Sequence, residues 1–351
     1  MTLVENDAHI GYDSFHRMAF FTDTSICIGC KACEVACKEW NRNPVEGYAV
    51  TGDSYDNTGS LGANTWRHVA FVEQNEERID AARAEGRTLV GLGMPGLKPA
   101  DAALADTTPP DTDDFRWLMS SDVCKHCTHA GCLDVCPTGA LFRTEFGTVV
   151  VQDDVCNGCG TCVAGCPFGV IERRDDGGVT LKTDKTAAEP MGNEHAGINV
   201  LAKLKQLKPQ GPDHTPGQAM PIKNLGVAQK CTMCYDRLKV GEQPACAKTC
   251  PTTSIKFGPY ETMLADAEAR VAELHAQGLT EARLYGANQG DGVGGTGSIF
   301  LLLDSPEVYG LPPDPRVPTE DLPMMFKTAV KAVAGMAGVM AGAFLLGGKR
   351  G

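Results

Sequence analysis

The spacing of the cysteines constrains this chain more than any other feature. All sixteen cysteines of the 351-residue sequence fall into four groups of four, and none is left over. Each group begins with C-x2-C and ends with C-x3-C, so that only the middle gap varies. In chain order, quartets one to four are Cys27, Cys30, Cys33 and Cys37; Cys124, Cys127, Cys132 and Cys136; Cys156, Cys159, Cys162 and Cys166; and Cys231, Cys234, Cys246 and Cys250.

This spacing is typical of iron–sulfur ligation. Quartet three reads C-x2-C-x2-C-x3-C-P, the bacterial ferredoxin pattern for [4Fe–4S] clusters, and the other three quartets are variants of it. Three closely spaced thiolates ligate three corners of a cubane, and the fourth thiolate serves the neighbouring cluster. Four clusters with four thiolates each use every cysteine, which predicts four [4Fe–4S] clusters and a role in electron transfer.

Other uses of the cysteines are less consistent with the sequence. Disulfide frameworks suit small secreted domains that lack a core, whereas a chain of 351 residues can bury a substantial one. Zinc sites with four cysteines combine two separated C-x2-C pairs. A multi-zinc structural scaffold without a redox role is nevertheless the alternative from another functional class. The net charge of −12 argues against nucleic-acid binding.

We predict an α+β fold of two nested lobes, each a two-cluster ferredoxin. Residues Ala140–Thr144 and Thr148–Gln152 alternate around a turn and predict a hairpin between quartets two and three. These two quartets therefore predict one lobe at residues 115–175. It would be inserted into a split lobe at 1–114 and 176–322, which carries quartets one and four.

Within each lobe, the fourth cysteine of one quartet is expected to ligate the cluster of the other. Tandem pairing, of quartet one with two and of three with four, stays open as the alternative. The predicted ligand sets are Cys27, Cys30, Cys33 and Cys250 for cluster 1; Cys231, Cys234, Cys246 and Cys37 for cluster 2; Cys124, Cys127, Cys132 and Cys166 for cluster 3; and Cys156, Cys159, Cys162 and Cys136 for cluster 4.

Two regular elements follow quartet four. Pro259–Gln277 has an apolar stripe at helical spacing and predicts a helix that packs on the cluster lobe. Ser298–Asp304 predicts a buried strand. Residues 86–114 and 187–229 are rich in loop residues, although apolar residues at near-helical spacing from Ile198 to Leu207 predict either a surface helix or a docking element.

Five other features have a structural interpretation: a glycine-rich segment, two histidines and two tryptophans. The glycine-rich segment 292–297 precedes a predicted strand, whereas nucleotide-binding loops follow one, so we do not expect it to bind phosphate. His126 and His129 lie inside quartet two, where loop packing is favoured over tuning of a cluster. Trp40 and Trp66 are interpreted as core residues.

The C-terminal tail predicts a membrane anchor at residues 323–351. Ala332–Gly348 is uncharged, and Lys327 and Lys331 lie near one end of the extended apolar stretch, where they can reach the interface. The alternative is a small-residue helix buried against a soluble partner. Because the N-terminus lacks a signal-peptide pattern, the chain is expected to begin in the cytoplasm, and export would need a partner's signal.

Long segments of the sequence resemble the iron–sulfur (beta) subunits of respiratory formate dehydrogenases. The resemblance runs through CIGCKACEVACKEWN at 27–41, the three later cysteine runs, and YGANQGDGVGGTGSIFLLLDSPEVYGLPPDPRV. The cysteine runs alone are shared with subunits of sulfur-compound reductases and some hydrogenases, which stay open as the alternative. The stretch at 175–229 is much longer than in the family members that the chain most resembles.

The resemblance implies an electron-transfer subunit that is not an enzyme on its own. It implies a catalytic formate dehydrogenase partner with molybdenum or tungsten bound to a pyranopterin, and a membrane partner of the cytochrome b type that passes electrons to quinone. A soluble acceptor is the alternative exit. The subunit is expected at the membrane with its cluster lobes on the extracytoplasmic face, and the alternative location is the cytoplasm.

Overall fold

The computed structural model describes residues 17–44, 58–91, 115–174 and 224–347, which include all sixteen cysteines. The strands are β1 Met18–Asp23, β2 Arg67–Asn75, β3 Phe115–Val123, β4 Leu141–Arg143, β5 Val149–Val151, β6 Glu172–Arg173, β7 Ala228–Gln229, β8 Ile255–Pro259, β9 Arg283–Tyr285 and β10 Ser298–Leu302. The helices are α1 Ala32–Asn41, α2 Glu76–Gly91, α3 Gly131–Asp134, α4 Thr161–Gly165, α5 Tyr235–Leu238, α6 Ala245–Thr249, α7 Tyr260–Ala276 and α8 Leu322–Gly347. This mixture confirms the α+β class.

A four-stranded sheet separates α7 from the cysteine-rich half of the chain. Its strand order is β8-β1-β10-β9, and only the β1–β10 pair is parallel. Side chains alternate between the two faces of a strand. Phe21 and Ile299 therefore pack with α7, whereas Phe20 and Phe300 pack in a core that includes cysteines of quartets one, two and four.

The predicted helix and strand after quartet four are confirmed. Helix α7 follows Pro259, its N-cap residue, and buries Met263, Ala267 and Leu274 against the sheet. Gly278 follows the helix with a φ of +92°, a conformation that glycine adopts without a side-chain penalty. Strand β10 is buried along all five residues.

Strands and helices next to quartet one pair with those next to quartet four, and those of quartet two with those of quartet three. β1 precedes quartet one and pairs with β8, which follows quartet four. The predicted hairpin after quartet two is confirmed as β4 and β5. Helix α1 of quartet one packs on α6 of quartet four, and α3 of quartet two packs on α4 of quartet three. Gly131 and Gly165 permit the second approach, because a Cβ atom on Gly131 would lie 2.4 Å from the Gly165 oxygen.

One loop prediction is partly wrong. Residues 86–91 belong to helix α2, and the rest of the predicted loop at 86–114 lies outside the described residues. Gly86 is a packing residue here, since a Cβ atom on it would lie 2.6 Å from the Glu281 backbone. The antiparallel pair β2–β3, nine residues long, was not predicted at all. The apolar pattern from Ile198 to Leu207 lies outside the described residues.

Helix α8 stands apart from the rest of the chain. Within it, Met324–Ala343 is long and apolar enough to cross a membrane, and none of its most apolar window is buried in the protein. Phe326 and Val339 are exposed by 73% and 74%. The predicted C-terminal helix is therefore confirmed as a helix, and it lies free of the described parts of the protein.

Candidate metal centres

Two cavities are each lined by four cysteines from two different quartets. In both, three cysteines come from one quartet and the fourth is the last cysteine of another. The first cavity is lined by Cys27, Cys30, Cys33 and Cys250, and the second by Cys124, Cys127, Cys132 and Cys166. The structure thus brings quartet one to quartet four and quartet two to quartet three.

The other eight cysteines also meet across quartets. Burial, and after it the neighbouring thiols of Cys231, Cys246 and Cys234, raise the pKa of Cys37 well above its ordinary value. Burial, followed by the neighbouring thiols of Cys156, Cys136 and Cys159, raises the pKa of Cys162 to about 12. Cys37 of quartet one therefore lies with Cys231, Cys234 and Cys246 of quartet four. Cys136 of quartet two lies with Cys156, Cys159 and Cys162 of quartet three.

The four thiols of each set could ligate either one zinc ion or one multinuclear cluster. Among the described residues, no group of three or more cysteine, histidine or carboxylate side chains is placed to hold one ion. A tetrahedral zinc ion at 2.3 Å from each sulfur would draw the sulfurs to about 3.8 Å from one another. All sixteen cysteines are free of disulfides. The geometry favours multinuclear clusters over zinc.

The buried thiols hold their protons strongly when no metal is bound. Burial is the largest cause in each case, and it raises the pKa of Cys33 to about 11 and that of Cys132 to about 12. Only thiolates ligate iron, so cluster assembly must displace these protons. Iron binding would supply the positive charge that stabilises Cys33 and Cys132 as thiolates.

The cysteine loops are shaped by residues with positive φ and by short helices. Lys31 at φ 58° precedes α1, Gly160 at φ 78° precedes α4, and Cys234 at φ 51° precedes α5. Each reverses the backbone between the C-x2-C pair and the next helix. Hydroxyls also reach sulfur, and the two shortest such contacts are those of Ser121 Oγ, 3.1 Å from Cys33 Sγ, and of Thr161 Oγ1, 3.2 Å from Cys159 Sγ. Hydrogen bonds of this kind set cluster potentials.

The glycine-rich segment 292–297 is the backbone partner of the quartet-two loop. The Gly295 and Val293 oxygens accept hydrogen bonds from the Thr128 and His129 amides at 3.0 and 2.8 Å. A Cβ atom on Gly294 would lie 2.4 Å from the His129 ring. The segment precedes β10, as predicted, and its glycines allow this close packing. His129 is a packing residue.

His126 is buried and neutral. Its Nδ1 accepts a hydrogen bond from the Val149 amide at 3.1 Å, so the proton lies on Nε2, which has no hydrogen-bond partner. Burial, followed by Lys230 and Arg143, lowers its pKa well below the usual value. His126 belongs to the lining of the cavity of quartets two and three.

One expectation about tryptophan is wrong. Trp40 is 45% exposed and not in the core. Its Nε1 donates to Asp236 at 2.9 Å, and the Arg237 guanidinium lies 4.2 Å from its ring centre. These polar partners explain why the ring lies at the surface. Trp66 packs against the core as expected, and its Nε1 donates to the Ala63 oxygen at 2.9 Å.

A buried arginine near the cysteines was missed by sequence reasoning. Arg67 is 1% exposed, and its Nη1 donates to Ser121 Oγ at 2.9 Å and to the Ser121 oxygen at 3.2 Å. Burial alone would lower its pKa, but the thiols of Cys246, Cys33, Cys231 and Cys37 outweigh burial and raise it. No local pattern distinguishes Arg67 in the sequence, since it lies at the start of β2, far from every quartet.

A buried lysine was missed as well. Lys230 is 2% exposed, and its ammonium group donates to the Val149 oxygen and, at 3.1 Å, to the Cys231 oxygen. Burial would lower its pKa, but the thiols of Cys124, Cys132 and Cys231 outweigh burial and raise it. Its position directly before Cys231 is the only signal that the sequence offers.

Comparison with known proteins identifies the family. Two families described as 4Fe-4S dicluster domains match residues 26–140 and residues 115–196 with 215–260. The formate dehydrogenase iron–sulfur subunit of Haemophilus influenzae is 34% identical over 92% of this chain and 76% of its own length. The nitrate-inducible formate dehydrogenase iron–sulfur subunit of Escherichia coli is 33% identical over 93% of this chain and 83% of its own length.

The chain belongs to the family of formate dehydrogenase iron–sulfur subunits. More distant relatives include the thiosulfate reductase electron transfer subunit of Salmonella typhi, which is 30% identical over 67% of this chain. The dicluster domains and the sixteen cysteines fit four [4Fe–4S] clusters. The thiols in sets of four, together with the buried Nε and Nη2 atoms of Arg67 that have no hydrogen-bond partner, are consistent with bound anionic clusters.

Proposed function

We propose that this chain is the electron-transfer subunit of a formate dehydrogenase complex. It would receive electrons from a catalytic subunit with a molybdenum or tungsten pyranopterin and deliver them to a cytochrome b subunit and quinone, or to a soluble acceptor. The observation that carries the proposal is the complete set of sixteen cysteines, arranged in four groups of four, in a chain of this family. When bound, each cluster supplies a site for one electron.

The proposed ligand sets follow the cross-quartet arrangement. Two cavities and the neighbours of Cys37 and Cys162 support it. The sets are Cys27, Cys30, Cys33 and Cys250 for cluster 1; Cys231, Cys234, Cys246 and Cys37 for cluster 2; Cys124, Cys127, Cys132 and Cys166 for cluster 3; and Cys156, Cys159, Cys162 and Cys136 for cluster 4.

The same arrangement supports nested lobes over tandem pairing. The packing of α1 on α6 and of α3 on α4 joins quartet one to four and quartet two to three. The inserted lobe would cover residues 115–175 and the split lobe residues 1–114 and 176–322. Strand β3 pairs along its whole length with β2 of the split lobe, so it links the two lobes at their boundary.

The chain would be anchored in a membrane by α8. Its exposed apolar surface and the span Met324–Ala343 support this role, because such a surface is stable in lipid and not in water. Gly338 and Gly342 meet no neighbouring atoms within the described protein and leave room for a partner helix. Lys349 and Arg350 after the helix favour a cytoplasmic end, which would place the cluster lobes on the extracytoplasmic face.

A subunit of a sulfur-compound reductase is the second candidate. The thiosulfate and dimethyl sulfoxide reductase relatives share less with this chain, at 30% and 25% identity over 67% and 70% of it. The formate dehydrogenase relatives are matched over 87–93% of the chain. The longer and stronger match favours formate as the electron source.

The test is purification of the native complex and assay of its electron donors. Formate is expected to reduce the clusters of the complex, whereas thiosulfate reduction is expected to be absent. The isolated chain is expected to oxidise no formate with an artificial acceptor, because formate oxidation is proposed to take place on the catalytic subunit. Formate oxidation by the isolated chain, or a complex that responds only to sulfur compounds, would contradict the proposal.

The anchor is tested separately by deletion of residues 324–351. All sixteen cysteines lie before this segment, so the shortened chain is expected to keep its four clusters and to leave the membrane fraction. Dye-linked formate oxidation by the complex should persist while quinone reduction stops. A shortened complex that stays in the membrane fraction and still reduces quinone would contradict the anchor.

A further inference from the structure

Two fully buried cations lie between neighbouring sets of cysteines. Arg67 interacts with Cys33 of proposed cluster 1 and with Cys37, Cys231 and Cys246 of proposed cluster 2. Its Nη1 is held by Ser121, whose hydroxyl also lies 3.1 Å from Cys33 Sγ. Its Nε and Nη2 are buried without a hydrogen-bond partner. The guanidinium is thus held beside two cysteine sets, and its Nε and Nη2 donors are not used by other described residues.

Lys230 occupies the same kind of position at the next junction. It directly precedes Cys231 of proposed cluster 2 in the chain, and its side chain reaches the cysteines of proposed cluster 3. Its ammonium group is bonded to the backbone oxygens of Val149 and Cys231, so it cannot swing away from the cysteines. It also lines the cavity of quartets two and three.

Neither cation is neutralised by a carboxylate. Among the described residues, the ion pairs of buried cations include Lys125 with Asp122 and Arg237 with Glu242, whereas no Asp or Glu pairs with Arg67 or Lys230. Burying an unpaired charge is costly, and such charges persist in folded proteins where another group compensates them. Among the described residues no carboxylate compensates these two cations, and the anions that the proposed function places beside them are the ligated clusters.

We propose that Arg67 and Lys230 are positioning residues for electron transfer, two fixed positive charges shared between neighbouring clusters that favour reduction of those clusters. The inference rests on the ligand sets of the proposed function. Reduction adds one negative charge to a cluster, and a nearby fixed cation stabilises that charge. Cluster 2 lies beside both cations, so its reduction is favoured most. Proposed cluster 4, with the exposed Cys159, has neither of them.

The test is a redox titration, followed by electron paramagnetic resonance, of the full-length chain purified anaerobically with its accompanying subunits. Arg67→Met and Lys230→Met remove the charges, and Arg67→Lys and Lys230→Arg keep them. The matched control is the double variant Arg283→Met, Glu85→Gln, which removes an ion pair between β9 and α2 without changing the net charge. Cys37→Ala and Cys136→Ala identify the signals of clusters 2 and 4.

We expect Arg67→Met to lower the midpoint potentials of clusters 1 and 2, and Lys230→Met those of clusters 2 and 3. At a fixed ambient potential, the ratio of reduced to oxidised cluster should fall by about tenfold, as expected for one unit charge acting over several ångströms inside a protein. Cluster 4, the control and the charge-preserving variants should shift little. Unchanged potentials in methionine variants that keep their iron would overturn the inference.

Iron content covers the case in which a methionine variant assembles poorly. Loss of clusters in Arg67→Met but not in Arg67→Lys supports a charge role, whereas equal loss in both shows a role of side-chain shape and overturns it. The unmodified chain separates this inference from the proposed function. Fewer than four clusters there would contradict the ligand sets, whereas four clusters with unshifted variants would contradict the role of the cations alone.

Discussion

The body that carries the cysteines, residues 17–321 in their described ranges, and helix α8 place apolar side chains in opposite ways. The central strand β10 of the body is buried along its whole length. In α8, by contrast, Val333, Met336 and Val339 are exposed by 60–74%. The body is thus built to fold in water around internal groups, whereas α8 is built for surroundings as apolar as itself.

The interior of the body is also unusual for a protein core. Thiols and two unpaired cations, Arg67 and Lys230, lie where aliphatic side chains normally pack. Clusters bound to the thiolates supply both the missing volume and the compensating charge. The two regions therefore differ in what would stabilise them: iron and sulfide for the body and, under the anchor proposed above, lipid or a partner helix for α8.

Removal of iron is expected to have the largest effect and to act on the body alone. Treatment of the full-length chain with an oxidant and a chelator in detergent should abolish the near-ultraviolet circular dichroism of the body, because the cations lose their counter-charge and the core loses its packing. Residues 322–347 should stay helical in the micelle. The chain kept with chelator but without oxidant is the control.

The comparison would break if the two regions responded alike. A cluster-free chain that keeps a cooperative thermal transition in the body would show that its core is sufficient without the clusters. Limited proteolysis provides an independent measurement: cleavage should spread through residues 17–321 after iron removal, while the detergent-embedded helix stays protected.

The sequence predicted the regular elements that follow simple periodicity. Helix α7, strand β10 and the β4–β5 hairpin were predicted because their apolar residues recur at helical or strand spacing and end at glycine or a turn. The β2–β3 pair was missed because its strands lie about 40 residues apart in the chain and no turn signal joins them. Gly86 was misread, since a glycine that permits close packing looks the same in sequence as one that makes a turn.

The candidate site was predictable only as far as the cysteines. Their spacing carries the chemistry, because three of the four thiolates of each proposed cluster come from one short segment of the chain. Arg67 and Ser121 reach the cysteines through the β2–β3 pair, so no local pattern could have found them. Trp40 was misplaced because its surface partners, Asp236 and Arg237, come from a distant part of the chain.

Single cysteine substitutions in the body are expected to have a smaller effect, and they test the proposed ligand sets. Cys37→Ala should remove or convert the cluster of Cys231, Cys234 and Cys246, and leave the other three. Cys33→Ala, one helical turn earlier in α1, is the matched control and should affect the cluster of Cys27 and Cys30 instead. Electron paramagnetic resonance of the reduced chains measures this, and the opposite assignment would overturn the cross-quartet sets.

The smallest effect concerns a single position in the helix. Met336→Asp places a charge near the middle of the candidate span, at a cost to insertion of about 3 kcal/mol. The variant should shift part of the protein from the membrane to the soluble fraction while its iron content stays unchanged. Met336→Leu keeps the apolar surface and should behave as the unmodified chain. Equal membrane fractions for the two variants would remove the contrast between helix and body.

The central claim is that every cysteine ligates iron in one of four [4Fe–4S] clusters. Metal and acid-labile sulfide analysis, with Mössbauer spectroscopy of the anaerobically purified full-length chain, tests it most directly. The account predicts about 16 iron and about 16 sulfide per chain, all in cubane clusters, because four clusters of four irons use all the thiolates. An iron content of about 12 per chain in fully loaded protein, a three-iron signal as isolated, or zinc as the main metal would contradict this ligation.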